Sequence, residues 1–456
     1  MLRSIRHAST QSSPFRVAIV GSGPAGFYTA HHLYKSGAPV AVDFYERLPA
    51  PYGLSRYGVA PDHPEVKNCE EYLDLIMDNQ ENSRFIGNVT VGEDIALDEL
   101  KKQYHAVVLS YGSTATDNTL GIPGEDAEGI IPARQFVNWY NSHPDAANWQ
   151  PPDLSKIRDV TIIGNGNVAM DVARVLIGSP SLHWDPTDIA LATVKALEKS
   201  AIQTVSIVGR RGVLQSAFAN KELRELLEMA ALNQFSFQIN SDELNAMAGK
   251  KLGRVEKRRL GLLEKYVGTA VDSSKVLSFE YNLAPKSFLT ENGKVKGVEY
   301  NINKTDDSGK ATPTGETTTE PADLVITSIG YKGSLIDNNL GIGFAKNHIL
   351  NDKGRVLTQD SQPIPGLYCS GWIKTGPKGV IATTMLESFD TAELILEDFK
   401  DGKLAAPEVE PSPPSKAISW TQWGKLDEFE VSEGERLNKL RLKVDNTPGM
   451  LAIEDN

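Results

Sequence analysis

Cysteine is almost missing from this chain of 456 residues: Cys69 and Cys369 are the only two. There is no C-x-x-C, so a thioredoxin-type dithiol centre has no support. An all-cysteine iron–sulfur cluster needs more thiolates than the chain can offer by itself. A Cys69–Cys369 disulfide can be drawn, but two separately buried thiols is the expectation. Long apolar runs are missing as well. No stretch approaches the roughly 20 residues that cross a bilayer, so no transmembrane helix is expected and only peripheral membrane association stays open. Positive charge is in deficit: 47 Lys and Arg stand against 59 Asp and Glu, a net charge of −12. That argues against nucleic acid as the main partner, because phosphate binding needs a cationic surface. The eight histidines form no metal-like cluster, and His31-His32 is an adjacent pair pointing two ways on a helix. No Ser-His-Asp or Cys-His set stands out, so neither nucleophilic catalysis nor a metal centre is expected.

Acid is absent from the start of the chain, where the first carboxylate is Asp43. Residues 1–16 contain Arg3, Arg6, His7, Arg16 and five Ser or Thr. This composition is that of a mitochondrial presequence, expected over residues 1–14, with the mitochondrial matrix as destination.

What is present is a pair of glycine-rich turns, each between a strand and a helix. RVAIVG (16–21) reads as a buried strand, Pro24 to about Lys35 as a helix, and PVAVDFYE (39–46) as the next strand. Gly21-Ser22-Gly23-Pro24-Ala25-Gly26 is the G-x-G-x-x-G between them. Gly21 permits the tight turn, Gly23 a close approach to pyrophosphate, and Gly26 close helix–strand packing. Glu46 closes the second strand where a carboxylate meets ribose hydroxyls. A carboxylate repels a 2′-phosphate, so this turn fits FAD or NAD and not NADP.

The second turn is Gly164-Asn165-Gly166-Asn167-Val168-Ala169, between DVTIIG (159–164) and a helix over 167–177. Its partner strand ends in Gly209-Arg210-Arg211-Gly212 in place of an acid. Two guanidinium groups suit a 2′-phosphate through charge-assisted bonds, so this turn fits NADP(H). The gap from Ala169 to Arg210 is about twice the usual spacing, and residues 179–200, with a helical pattern of their own, fill it. Residues 65–80 and 221–232 read as helices, and 233–320 as polar and strand-rich. A Pro-rich linker (406–415) leads to a charged amphipathic tail.

YGLSRYGVAPDHPEVKN (52–68), GNGNVAMDVARVL (164–176), GRRGVLQSAFANKELRE (209–225) and GWIKTGPKGVIATTM (371–385) occur in this order. Together they resemble the adrenodoxin reductase (mitochondrial ferredoxin–NADP reductase) family from about residue 15 to residue 400. The resemblance implies an α/β fold of two Rossmann-like three-layer domains, the FAD domain interrupted by an inserted NADP domain. The expected boundaries are 15–115 and 334–404 for the first, 116–333 for the second, and 405–456 for the linker and tail. By the same resemblance Ala25, Glu46, Leu54 and Val89 line FAD, while Trp372 and Gly379-Val380-Ile381 close over the flavin end. Asn165, Gly166, Asn167, Val168, Arg210, Arg211, Glu222 and Gly379 hold NADPH. His63 and Asp171 match a pair near both cofactors, able to hydrogen-bond and to influence proton balance.

The implied function is an FAD-dependent NADPH:ferredoxin oxidoreductase that passes single electrons to a small acidic [2Fe–2S] ferredoxin. That carrier would feed cytochrome P450, haem or iron–sulfur cluster pathways, and the enzyme is expected to be a monomer. The basic run from Lys250 to Arg259 offers Arg254, Lys257, Arg258 and Arg259 for docking, Arg259 being the best match. A monooxygenase or oxidase on the same frame would instead consume oxygen with an organic substrate and no ferredoxin. A non-catalytic NADPH-binding flavoprotein would not let NADPH reduce its flavin.

Overall fold

Short apolar runs become the centres of two sheets, the second parallel throughout and the first parallel except along its Asn351–Asp352 and Arg355–Leu357 edge. The computed structural model describes residues 14–454 apart from 114, 233, 249, 270 and 271. The presequence expected over residues 1–14 thus lies, Pro14 apart, outside the described residues. The first sheet runs, in spatial order, Asn351–Asp352, Arg355–Leu357, Pro363–Cys369, Ala106–Leu109, Phe15–Val20, Val40–Tyr45 and Ser83–Ile86. Its strands are apolar along most of their length because helices cover both faces. Val17 pairs in parallel register with Val42 on one side and Ala106 on the other.

The second sheet runs Ile130–Pro132, Leu324–Thr327, Asp159–Ile163, Thr204–Val208, Val276–Glu280 and Ser236–Ile239. Helices Asn167–Ile177 and Asn220–Ala231 pack into the core on one face. A three-stranded antiparallel sheet, Leu283–Glu291, Lys294–Thr305 and Ala311–Pro321, contributes to the core on the other. The chain enters and leaves this unit through a small ribbon in which Tyr331 pairs with Asp117 and Lys332 with Thr116.

Two expectations need correction. The helix over 65–80 is broken into Pro64–Lys67, a tighter turn Asn68–Glu70 and Glu71–Asn79, with Cys69 buried at the break. The segment 233–320 holds two helices besides its strands, Ser241–Ala248 and Arg254–Tyr266. Arg259, Leu263 and Tyr266 make the buried stripe of the second, a helical spacing that the polar composition obscured. The Pro-rich linker does not hang free: Glu408 N donates to Lys102 O at 2.7 Å, and Arg16 pairs with Glu410 at 2.7 Å. Both cysteines are buried and unpaired, as expected.

The tail after this linker clasps both units. Ser419 and Gln422 form a capping box for helix Trp420–Glu435, which buries Trp423 and Leu426 in the core of the first sheet. Glu430, fully buried, takes Arg56 Nη2 on both oxygens at 2.7 and 2.6 Å. The chain then turns toward the inserted unit, where Lys439 Nζ donates to Asp185 O at 2.8 Å and Lys443 pairs with Asp188 at 2.9 Å. Lys443 Nζ also reaches Arg56 O at 3.1 Å and Asn141 O at 3.3 Å. Among the described residues no helix is long and apolar enough to cross a membrane.

Candidate functional site

Both glycine turns form, and sterics explain why glycine is needed. Gly21 has φ +102°, and a Cβ there would lie 2.7 Å from Ser110 O. A Cβ on Gly26 would collide with Gly21 O, so a larger residue would push helix Pro24–Lys35 off the strand. That helix starts at Gly23 with no capping side chain and no acid in its first turn. Its N–H groups and positive dipole end are left for an anion. Glu46 is fixed against the turn: Oε2 accepts from Ser22 N at 3.1 Å and Ser22 Oγ at 2.9 Å, and Oε1 from Leu48 N at 3.1 Å. Ser22 was not singled out in the sequence, although it is the polar residue inside the turn.

The other residues matched to the first turn gather around it. Val89, 1% exposed, donates its N–H to Glu46 O at 2.9 Å. Leu54 opens a one-turn helix after Gly53, and a Cβ on Gly53 would lie 3.2 Å from Gly23 Cα. Gly371 (φ +68°) sits so close that a Cβ would collide with that of Ala25. This approach brings Trp372 to the turn, half-buried, its ring centroid 6.3 Å from Tyr331 with planes 28° apart. Gly379 and Val380 are exposed ahead of helix Ile381–Lys400, which has no capping side chain and packs along helix Pro24–Lys35. Gly371→Ala should combine this clash with left-handed strain, costing about 2–4 kcal/mol. A lower urea midpoint together with loss of any bound flavin on gel filtration is the expected result; wild-type behaviour in both would refute the packing argument.

At the second turn Gly164 has φ +113°, and a Cβ would collide with Ser328 O. Around Gly166 there is open space, and Gly166 precedes helix Asn167–Ile177, which also lacks a capping side chain. Asn165 O accepts from Ala217 N at 3.2 Å and Asn167 Oδ1 from Ala219 N at 2.8 Å, tying the loop after the arginines to the turn. Val168 is half-buried beside them. Arg210 and Arg211 are exposed. Their backbone is held, since Asn303 Nδ2 donates to Arg210 O at 2.9 Å and Asn282 N to Arg211 O at 3.1 Å.

His63 and Asp171 do come together, but through a third residue. Arg174 Nη2 lies 2.9 Å from Asp171 Oδ1 and 3.3 Å from His63 Nε2, while His63 Nε2 lies 2.9 Å from Glu225 Oε2. The direct hydrogen bond envisaged from sequence is replaced by this arrangement. Arg174 also holds Asp62 with two bonds, at 2.9 and 3.1 Å, and Glu222 at 3.1 Å. Burial pushes the Asp171 carboxyl up from its ordinary range, with Arg174 opposing. Burial would also raise Asp62, but the Arg174 guanidinium outweighs it and holds that carboxyl low. His63, Glu222 and Glu225 bring ligand-type atoms within 4.8 Å of one another, a set that could suit a metal. The Arg174 guanidinium already bonds to two of the three and supplies the positive charge there. A charged i,i+3 pair, Asp171 and Arg174, in an otherwise apolar helix was the signal available for finding this cluster.

Arg259 is not a docking residue. It is 6% exposed, and donates to Val213 O and Ser216 O at 3.3 Å each and to Phe218 O at 3.1 Å. Its guanidinium also lies 4.8 Å from the Phe218 ring centroid. It anchors the loop that follows the arginine pair. Arg254, Lys257 and Arg258 are exposed on the same helix.

Residues 15–243 match the pyridine nucleotide-disulphide oxidoreductase family. The chain is 39% identical to the probable mitochondrial NADPH:adrenodoxin oxidoreductase of Schizosaccharomyces pombe, over 98% of this chain and 97% of that one. It is 39% identical to the mitochondrial NADPH:adrenodoxin oxidoreductase of Bos taurus, over 98% of this chain and 94% of that one. Among solved structures, Mycobacterium tuberculosis FprA in complex with NADPH superposes with a TM-score of 0.87 at 34% identity, covering 97% of this chain and 100% of that one. With two dinucleotide turns on two largely parallel sheets and this likeness along nearly its whole length, the chain belongs to the NADPH:adrenodoxin oxidoreductase family.

Proposed function

We propose that the chain is an FAD-dependent reductase that oxidises NADPH and passes electrons singly to a small acidic [2Fe–2S] ferredoxin. The observation that carries this reading is the opposite charge at its two turns: Glu46 fixed against the first, Arg210 and Arg211 exposed beside the second. A carboxylate suits ribose hydroxyls, and paired guanidiniums suit a 2′-phosphate. On this reading Gly21, Gly23, Ala25, Gly26, Glu46, Leu54 and Val89 hold FAD, at a turn whose close packing a side chain at Gly21 or Gly26 would break. Trp372 and Gly379-Val380-Ile381 border its flavin end. Asn165, Gly166, Asn167, Val168, Arg210, Arg211, Glu222 and Gly379 hold NADPH.

Bound FAD would supply the acceptance of a hydride and the release of single electrons. The chain's own work is alignment: the uncapped helix starts bind the phosphates, and Trp372 with Tyr331 shields the reacting end from water. His63 and Asp171 hold and exchange protons near that end. The exposed Arg254, Lys257 and Arg258 form the face that attracts an acidic carrier in a salt-sensitive encounter. Support for that carrier and for a mitochondrial location comes from the names of the relatives; the matrix and the monomeric state are further parts of the proposal. The division into 15–115 with 334–404, and 116–333 between them, puts both crossings near the ribbon of residues 116–117 and 331–332.

The test is an anaerobic titration followed by visible absorbance, with NADH added first and NADPH second. Flavin bleaching that is far more complete with NADPH is expected. No bound flavin, or equal bleaching by both nucleotides, would overturn the assignment of one or both turns.

A further inference from the structure

Of the other buried arginines, Arg56 holds the single carboxylate of Glu430 and Arg259 holds backbone carbonyls. Arg174, with relative exposure of 0%, has three carboxylates and an imidazole. The partners come from three segments: the loop carrying Asp62 and His63, the helix carrying Asp171, and the helix carrying Glu222. The first belongs with the first sheet and the others with the second, so one guanidinium joins the two nucleotide-binding halves. Its Nε and Nη2 hold Asp62 in the two-pronged geometry that fixes both distance and angle. Nη1 holds Glu222, and Nη2 is shared between Asp62 and Asp171, so the loop and both helices meet on one guanidinium. A group so buried can touch neither cofactor, and every effect it has on them must pass through its partners.

We infer that Arg174 is a positioning residue of the proposed hydride-transfer site, setting the distance between the Asp62–His63 loop and the carboxylates Asp171 and Glu222, and thereby the approach of the nicotinamide half of the dinucleotide. The inference rests on the NADPH reading above and goes beyond it in assigning a role to a residue outside both turns. The groups facing Asp171 are Arg174, Glu222, His63 and Asp62, with Tyr140 and Tyr331 also near enough to feel its charge. Removing the one fixed cation leaves Asp171 among carboxylates, so its proton becomes harder to lose. The adenosine end of the dinucleotide, at Arg210 and Arg211, has no bond to Arg174.

The experiment compares the flavin-loaded wild type with Arg174→Lys and Arg174→Gln, using two probes. One is 2′,5′-ADP, which reports only on the arginine pair; the other is full-length NADP⁺. In Arg174→Gln the NADP⁺ affinity should fall about ten- to a hundredfold while 2′,5′-ADP binding is retained. Arg174→Lys should recover part of the loss. The acid limb of the pH profile for flavin reduction by NADPH should move to higher pH in Arg174→Gln. A parallel loss for both probes, or an unmoved pH profile, would overturn the inference. Should Arg174→Gln not fold, Asp62→Asn keeps the cation, removes the charged, two-pronged part of its hold on the loop, and must give the same split between the probes. If the wild type itself fails to bind 2′,5′-ADP, the NADPH reading is at fault and the role of Arg174 falls with it.

Discussion

An Arg210→Ala, Arg211→Ala double variant should lose most of its use of NADPH and keep its use of NADH. Hydrogen bonds to a charged group are worth about 1.5–3 kcal/mol each, so two lost phosphate contacts lower kcat/KM for NADPH about a hundred- to ten-thousandfold. NADH has no 2′-phosphate and should change little. The fold should be unaffected, because both side chains are exposed and the backbone beneath them is held by Asn303 and Asn282. Steady-state reduction of ferricyanide with either nucleotide reads the ratio directly. Equal losses for NADPH and NADH would mean that the arginines support the loop and do not select the cofactor.

The second large effect lies in the tail clasp. Glu430→Gln keeps the shape of the side chain but strands the Arg56 guanidinium, 3% exposed between the Tyr57 and Trp423 rings. Breaking one side of a buried pair costs about 3–5 kcal/mol, a large share of the stability of an ordinary domain. Urea unfolding should therefore begin at a clearly lower concentration, and a midpoint equal to wild type would show that the pair is replaceable.

The clasp also has a pH dependence. Lys443 shares Asp188 with Lys67, and burial pushes its ammonium down to about 7 from 10.5. The unfolded chain keeps that proton up to the ordinary lysine range, whereas the folded chain gives it up near pH 7. Folding thus buries the extra charge in full below pH 7, and the penalty is relieved as pH rises from about 7 toward 10.5. Wild type should gain stability across that window relative to Lys443→Met. Parallel stability curves for the two proteins would remove Lys443 as the cause.

Local requirements of backbone and charge were the legible part of the sequence. The two glycine turns, Glu46 and the arginine pair could be read because each belongs to one strand–turn–helix–strand unit, with the charge at the end of its second strand. What escaped reading depends on distant segments meeting. Arg174 draws its partners from residues 62–63, 171 and 222, and only Asp171, three residues away, was a local clue. Arg259 reads as a docking residue because it lies in a basic run and best matches the position the resemblance implies, yet the spacing to Leu263 and Tyr266 puts it on the buried stripe. The tail illustrates the same limit, since nothing near Glu430 or Lys443 names Arg56 or Asp188 as a partner.

The strand Pro363–Cys369 lies beside Ala106–Leu109 in the first sheet, roughly 250 residues later in the chain. A chain that enters its compartment N-terminus first therefore exposes the apolar edge at Ala106–Leu109 well before this neighbour follows. The inserted unit can complete its own sheet in that interval, since its last strand ends at Thr327. A partly entered chain thus carries a finished inner unit on an open, sticky half-sheet, the kind of edge that recruits other chains or a chaperone. Its period of greatest aggregation risk ends only with the arrival of Cys369.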